Sequence, residues 1–276
     1  MPSDPESATG ANFAIVIPAR FKSSRYPGKP LALIKGLTGV AKSLVQRSHE
    51  AAVVAGEGVP VHVATDDDGI ARAVADFGAS AIMTPEACAN GTERVAAALD
   101  ELPADVDVVV NFQGDALLTP PDIVRALMAH MVAHPECQVA TVAVRCSPTA
   151  YAHLVADQAA GRSGGTTVVV NGKGEALYFS KRVLPHILSG SPMEADPPVL
   201  MHLGLYAYRR PALALYAATP STQLEELEGL EQLRFLYAGI PMAVVVCDPP
   251  AWDAIELNNP SDLEPIEAIL AARKIV

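Results

Sequence analysis

The chain has 276 residues, one or two domains at about 150 residues each, and its half-hydrophobic, 18% charged composition excludes intrinsic disorder. Twenty basic against 31 acidic side chains give a net charge of −11. That excludes non-specific binding to nucleic acid or to an anionic membrane, yet leaves room for a local basic pocket. Residues 1–12 are polar, with neither a basic start nor an apolar stretch, and read as a disordered, frayed tail rather than a signal peptide. Residues 13–276 then read as one domain. Phe13–Pro18 is a continuously apolar run, as expected of a strand buried on both faces. The segment from Ala19 to Pro30 is a basic loop, and a helix is predicted over Thr38–Ala55. Val61–Thr65 is a second strand, and Asp66-Asp67-Asp68 can cap a helix running to Phe77. Ala81–Met83 and Asp107–Phe112 are further strands, and Gly91–Leu102 and Pro121–Ala133 further helices, the last opened by Pro121 and Asp122. Alternation of strand and helix predicts an α/β fold with a doubly wound, mostly parallel sheet.

The second half changes character. Gln138–Arg145, Thr166–Val170, Ala176–Phe179, His202–Arg209 and Met242–Cys247 read as strands, with Asn171–Gly174 as a hairpin turn. Residues 156–165 and 189–198 read as Gly-, Ser- and Pro-rich loops. Helices are predicted over Leu224–Ala238 and Ser261–Lys274. The picture is a β-rich insertion over about 138–210 in the α/β domain. Cys88, Cys137, Cys146 and Cys247 have no metal-site spacing and read as reduced thiols. With no run of 18 apolar residues, the expected location is the cytoplasm.

In open α/β sheets ligands bind beyond the carboxyl ends of the strands. After the first strand come Arg20, Arg25 and Lys29, with Gly28 allowing close backbone approach. Such a set can hold a polyphosphate; the alternative is an ordinary solvated loop. P-loop and dinucleotide-binding glycine patterns are absent. After the fourth strand comes Gln113-Gly114-Asp115. A carboxylate there is costly unless paired or bound to a metal, and Mg²⁺ commonly takes one or two carboxylates plus phosphate oxygens. The alternative for Asp115 is a helix cap or a turn.

Ile17-Pro-Ala-Arg-Phe-Lys-Ser-Ser-Arg-Tyr-Pro-Gly-Lys-Pro-Leu31 resembles the N-terminal signature of the 3-deoxy-manno-octulosonate (Kdo) cytidylyltransferases, the CMP-Kdo synthetases. Val63-Ala-Thr-Asp66, Gly91-Thr-Glu-Arg94, Asn111-Phe-Gln-Gly-Asp115, Ala176–Ser180, His202–Arg209, Leu230–Arg234 and Asn259–Glu264 match in family order. The resemblance implies a nucleotidyltransferase-type fold, CTP and Mg²⁺ as requirements, and a homodimer formed through the β-rich insertion. It implies a CTP site of Ala19, Arg20, Arg25, Lys29, Thr65, Asn90, Gly91, Thr92, Arg94 and Gln113. Gln113, His202, Tyr206, Glu231 and Gln232 would meet the acceptor, and Asp115 and Asn258 would stand at the metal. An acceptor oxygen attacks the α-phosphorus in line, so catalysis is positioning and charge neutralisation, which assigns Lys29, Arg20 and Asp115 the catalytic parts.

Four departures face the acceptor. Ala116-Leu117 stands for Glu-Pro, Met201 for Arg and Asn90 for Ser; Asn258 replaces the second magnesium carboxylate. Glu256 or Asp253 could compensate for the last. These departures favour a smaller, more anionic acceptor, for example a phosphonate such as phosphonoformate, because a dianion could supply the missing charge. Kdo is the alternative. A catalytically silent CTP-binding protein is a third reading, disfavoured by Lys29 and Asp115.

Overall fold

The computed structural model describes residues 11–22, 26–252 and 255–276; Arg25, Asp253 and residues 1–10 of the expected tail lie outside the described residues. In chain order the first half comprises β1 (Phe13–Ala19), β2 (Leu33–Lys35), β3 (Ala41–Ser43), α1 (Leu44–Gly56), β4 (Val61–Thr65), α2 (Asp68–Asp76), β5 (Ser80–Met83), α3 (Gly91–Ala97), β6 (Val108–Asn111) and α4 (Pro121–Ala133). The second half comprises β7 (Val139–Arg145), α5 (Pro148–Ala159), β8 (Thr167–Val170), β9 (Ala176–Ser180), β10 (Leu200–Arg209), α6 (Arg210–Ala218), α7 (Gln223–Glu228), α8 (Leu233–Tyr237), β11 (Met242–Cys247) and α9 (Leu263–Ala272).

The main sheet runs β11-β7-β10-β6-β1-β4-β5. Strands β6, β1, β4 and β5 are mutually parallel, and β11 is parallel to β7. Only β10 runs against its neighbours β6 and β7 on this path. Alternate residues of β1 feed opposite cores: Ile15 and Ile17 pack with Val45 of α1, Ile70 of α2 and Val124 of α4, while Ala14 and Val16 pack with Val95 of α3, Leu213 of α6 and Phe235 of α8. Helices thus cover both faces, which is why the strands read as continuous apolar runs. A satellite core of Ile34, Leu44, Leu118, Leu257, Ile266 and Leu270 ties α9 to the loop after β6.

Three predicted elements change. The helix expected from Thr38 starts at Leu44, because Ala41–Ser43 pairs with Leu33–Lys35 and the Ser43 side chain caps α1 by accepting from the Gln46 amide. The loop expected over 156–165 begins inside a helix, α5, which Ser147 caps and Pro148 opens. The single helix expected over 224–238 is two, because Gly229 closes α7 at φ +61°. Helix α6, directly after β10, has no counterpart among the predicted elements.

Candidate active site

Loops at the carboxyl ends of β1 and β6 open one wall of a cavity of about 790 Å³. Their close approach needs glycine: a Cβ on Gly114 would lie 2.6 Å from the Pro18 carbonyl oxygen. Gly28 sits at φ +70°, donates its amide to the Phe21 carbonyl, and leads directly into the turn that starts at Lys29. Lys29 Nζ then reaches Asp115 Oδ2 at 2.6 Å, with both side chains partly exposed to the cavity. Arg20 is exposed on the same wall and donates to the Ala89 carbonyl at 3.4 Å. Asp115 also accepts the Leu257 amide at its backbone carbonyl, which sets Asn258 beside it on the cavity lining. The Asn258 amide nitrogen donates to Glu256 at 3.4 Å, and its backbone amide to Asp262 at 2.9 Å.

The floor is the first turn of α3. Asn90 caps it, accepting from the Glu93 amide at 2.8 Å and donating to Tyr216 and Glu225. A Cβ on Gly91 would stand within 3.6 Å of the Gln113 amide group, so Gln113 lies across this turn. Arg94 is buried, bound to Asp66 at 2.8 Å and to Thr84 at 2.7 Å. Thr65 and Thr92 are fully buried behind the lining, with their hydroxyls engaged inside the protein.

The far wall is built from β10 and the turn between α7 and α8. Glu231 accepts the Thr92 amide at 2.9 Å; burial pushes its carboxyl above the usual range. The Tyr206 hydroxyl donates to Gln232 Oε1 at 3.1 Å, and Gln232 Nε2, in a side chain 2% exposed, has no partner among the described residues. An orphaned donor in a cavity wall is what a ligand oxygen would satisfy. Behind this wall Arg234 grips Glu225 through two nitrogens at 2.6 and 2.7 Å, reaches Glu93 at 2.9 Å and stacks 4.2 Å over Tyr216. His202 is held by Thr141 and by the rings of Phe179 and Tyr206, and burial pushes its pKa down to about 3.

The geometry therefore gathers Arg20, Lys29, Asn90, Gly91, Gln113, Asp115, His202, Tyr206, Glu231, Gln232 and Asn258 around one cavity, with Ala19 and Arg94 on its lining. Glu225 and Arg234 were not singled out in the sequence; the Thr222–Glu225 capping box was the available signal for the first, and nothing local marked their pairing.

Residues 14–244 match the family model of the cytidylyltransferases. The 3-deoxy-manno-octulosonate cytidylyltransferase of Maricaulis maris is 42% identical over 93% of this chain and 96% of its own. The chain belongs to that cytidylyltransferase family. The 8-amino-3,8-dideoxy-manno-octulosonate cytidylyltransferase of Shewanella halifaxensis is 38% identical over 94% of this chain and 99% of its own. A solved CMP:2-keto-3-deoxy-manno-octonic acid synthetase in complex with CTP superposes with a TM-score of 0.80 and 34% identity, covering 95% of this chain and all of that one. As a member of the family the chain is a CTP-dependent nucleotidyltransferase, which sets aside the silent CTP-binding reading. Among the described residues no helix is long and apolar enough to cross a membrane.

Proposed function

We propose that this cytidylyltransferase transfers CMP from CTP to 3-deoxy-manno-octulosonate, with release of pyrophosphate. The phosphonate acceptor favoured by the sequence departures finds no support among the relatives, which act by name on octulosonates. The chemistry of the far wall supports the same correction. Its carboxylates Glu226 and Glu231 and its neutral groups His202, Tyr206 and Gln232 suit a polyhydroxylated ligand, whose O–H groups can donate to them. A compact dianion would meet like charge there, while the cations of the described lining, Arg20, Lys29 and Arg94, stand on the nucleotide side. The observation that carries the reading is the buried amide of Gln232, unpartnered among the described residues, which offers a neutral donor to a sugar oxygen.

In this reading Arg20 and Lys29 neutralise the phosphates and Lys29 stabilises the charge that grows at the α-phosphorus. Among the described residues no group of three or more His, Cys, Asp or Glu could hold a metal unaided. One carboxylate, Asp115, beside the Asn258 amide still fits Mg²⁺, because nucleotide phosphates provide further oxygens. Asp115 and Asn258 would hold the ion, which supplies charge neutralisation at the phosphates. Glu256 adjoins Asn258 and restores part of the charge lost with the family's aspartate. The homodimer is part of the proposal, supported by Leu177, Leu188 and Met193, which stand exposed in β9 and in the segment between β9 and β10; the expected insertion over 138–210 is narrower than that span, because β7 and β10 belong to the main sheet.

The test is pyrophosphate release with CTP, Mg²⁺ and a panel of Kdo, its 8-amino analogue and phosphonoformate. Kdo is expected to give the highest kcat/KM, and chelation of Mg²⁺ to abolish it. A higher kcat/KM with phosphonoformate would overturn the acceptor. Asn258→Asp should lower the Mg²⁺ concentration needed for half-maximal turnover with Kdo; an unchanged requirement would remove Asn258 from the metal site.

A further inference from the structure

We propose that Thr141 fixes His202 as the Nε2–H tautomer, so that the acceptor wall presents the Nδ1 lone pair and selects a substrate hydroxyl that donates to it. The starting point is an irregularity in the sheet. Leu203 pairs with Val142 and Tyr206 with Thr141, so β10 takes three steps where β7 takes one. At this bulge the Leu205 carbonyl receives the Thr141 hydroxyl at 2.7 Å. A carbonyl oxygen can only accept, and a hydroxyl has one proton. With that proton committed to Leu205, Thr141 Oγ1 can only accept from its other neighbour, His202 Nε2, at 2.9 Å. The proton of the neutral imidazole therefore sits on Nε2, and Nδ1 is left as an acceptor.

A reversed ring would give up the Thr141 bond. Phe179 meets it edge-on at 5.0 Å between centroids and Tyr206 lies at 5.4 Å on another side. Burial keeps the imidazole neutral across the working pH range. Nδ1 has no partner among the described residues, while the residue lines the cavity beside Gly204 and Tyr206. The wall thus offers paired complementary groups: the Gln232 amide donates and the His202 lone pair accepts. A sugar hydroxyl can satisfy both kinds of group, whereas a fully ionised oxyanion has no proton to give the second. Thr141, resting on the acceptor wall proposed above, is a positioning residue: it acts through His202 and sits fully buried in β7.

The experiment starts with the free protein labelled with ¹⁵N-histidine, His202 being assigned by comparison with His202→Gln. Nδ1 is expected to appear as an unprotonated, pyridine-type nitrogen and Nε2 as a protonated, pyrrole-type one. Protonated Nδ1 would overturn the proposal, and this reading needs no acceptor at all. Thr141→Val should then lose the single-tautomer signature and raise the KM for Kdo by about tenfold, the scale of one net hydrogen bond, with the KM for CTP unmoved. Thr141→Ser, which keeps the hydroxyl, should restore both. A Thr141→Val enzyme with wild-type KM for Kdo and an unchanged tautomer would also overturn it. If wild type gives the Nε2–H tautomer but does not turn over Kdo, the acceptor reading fails while the tautomer assignment stands.

Discussion

The wall assigned to the phosphates and the wall assigned to the acceptor under the proposed function are held in opposite ways. On the first, Arg20 is exposed and Lys29 is positioned by a glycine turn and one ion pair. On the second, Tyr206 and Gln232 are at most 3% exposed and bonded to each other, and behind them Arg234, also at most 3% exposed, belongs to a network that runs from Asn90 through Tyr216 and Glu225 to Glu93. Phosphates carry fixed charge, so the first wall needs cations that move with the ligand. Sugar hydroxyls differ only in direction, so the second needs donors and acceptors that cannot turn. Loss of a residue from the first wall should therefore appear in rate, and from the second in stability and acceptor affinity.

The largest expected effect is on the buried wall. Arg234→Ala leaves Glu225 and Glu93 without their cation, and should lower stability by about 3–5 kcal/mol in urea unfolding. Arg234→Lys should recover only part, because an ammonium cannot reproduce the two-nitrogen grip on Glu225. A wild-type urea midpoint in Arg234→Ala would erase the distinction between the walls. Next comes Lys29→Ala, with kcat expected to fall on the order of 10²-fold while the KM for CTP changes little. Its stability should move by no more than about 1 kcal/mol, as for partly exposed ion pairs. Near wild-type turnover would remove Lys29 from the chemistry.

Tyr208→Phe tests how the floor is tied to the far wall. The Tyr208 hydroxyl bonds Thr92 Oγ1 at 2.8 Å and accepts from Asn111 at 3.4 Å, all of them buried, and Thr92 in turn donates to Glu231. Its removal should cost about 1–3 kcal/mol in thermal unfolding and raise the KM for Kdo more than it lowers kcat. Equal loss in both kinetic constants would mean that this chain does not position the wall. The smallest effect is electrostatic. Burial raises the Glu231 carboxyl in the folded state, so wild type loses stability as pH climbs through that raised value. Glu231→Gln should therefore melt higher than wild type at neutral pH. The gain should vanish below the ordinary glutamate range, where folded and unfolded chains both carry the proton. An advantage that grows on acidification would reverse the sign and refute the assignment.

Legibility in the sequence follows the same division. The strand at Phe13–Pro18 is visible because both its faces are covered, and Lys29 and Asp115 because charges in the loops that follow buried strands have few structural reasons. Pro121–Ala133 matches its predicted span to the residue, since Pro121 marks its start. Helix α5 escaped because only Leu154 of it is buried, so no apolar stripe announced it. The break at Gly229 was hidden within an otherwise helical pattern, yet it separates α7 from the turn before α8 that carries Glu231 and Gln232. Thr141 was least legible of all: inside the run Val139–Val144 it reads as one more strand residue, and its partners lie more than 60 positions away.

The bulge in β10 has a consequence for insertions and deletions. It adds two residues relative to β7, an even number, so His202 and Tyr206 remain on one face despite the interruption. Deleting both Gly204 and Leu205 would shorten the strand and preserve that phase. Deleting either one alone would turn Leu200–Leu203 over, sending His202 into the opposite core and Met201 into the cavity. Length variation at this point can be inherited in pairs, and a single-residue step is closed to it.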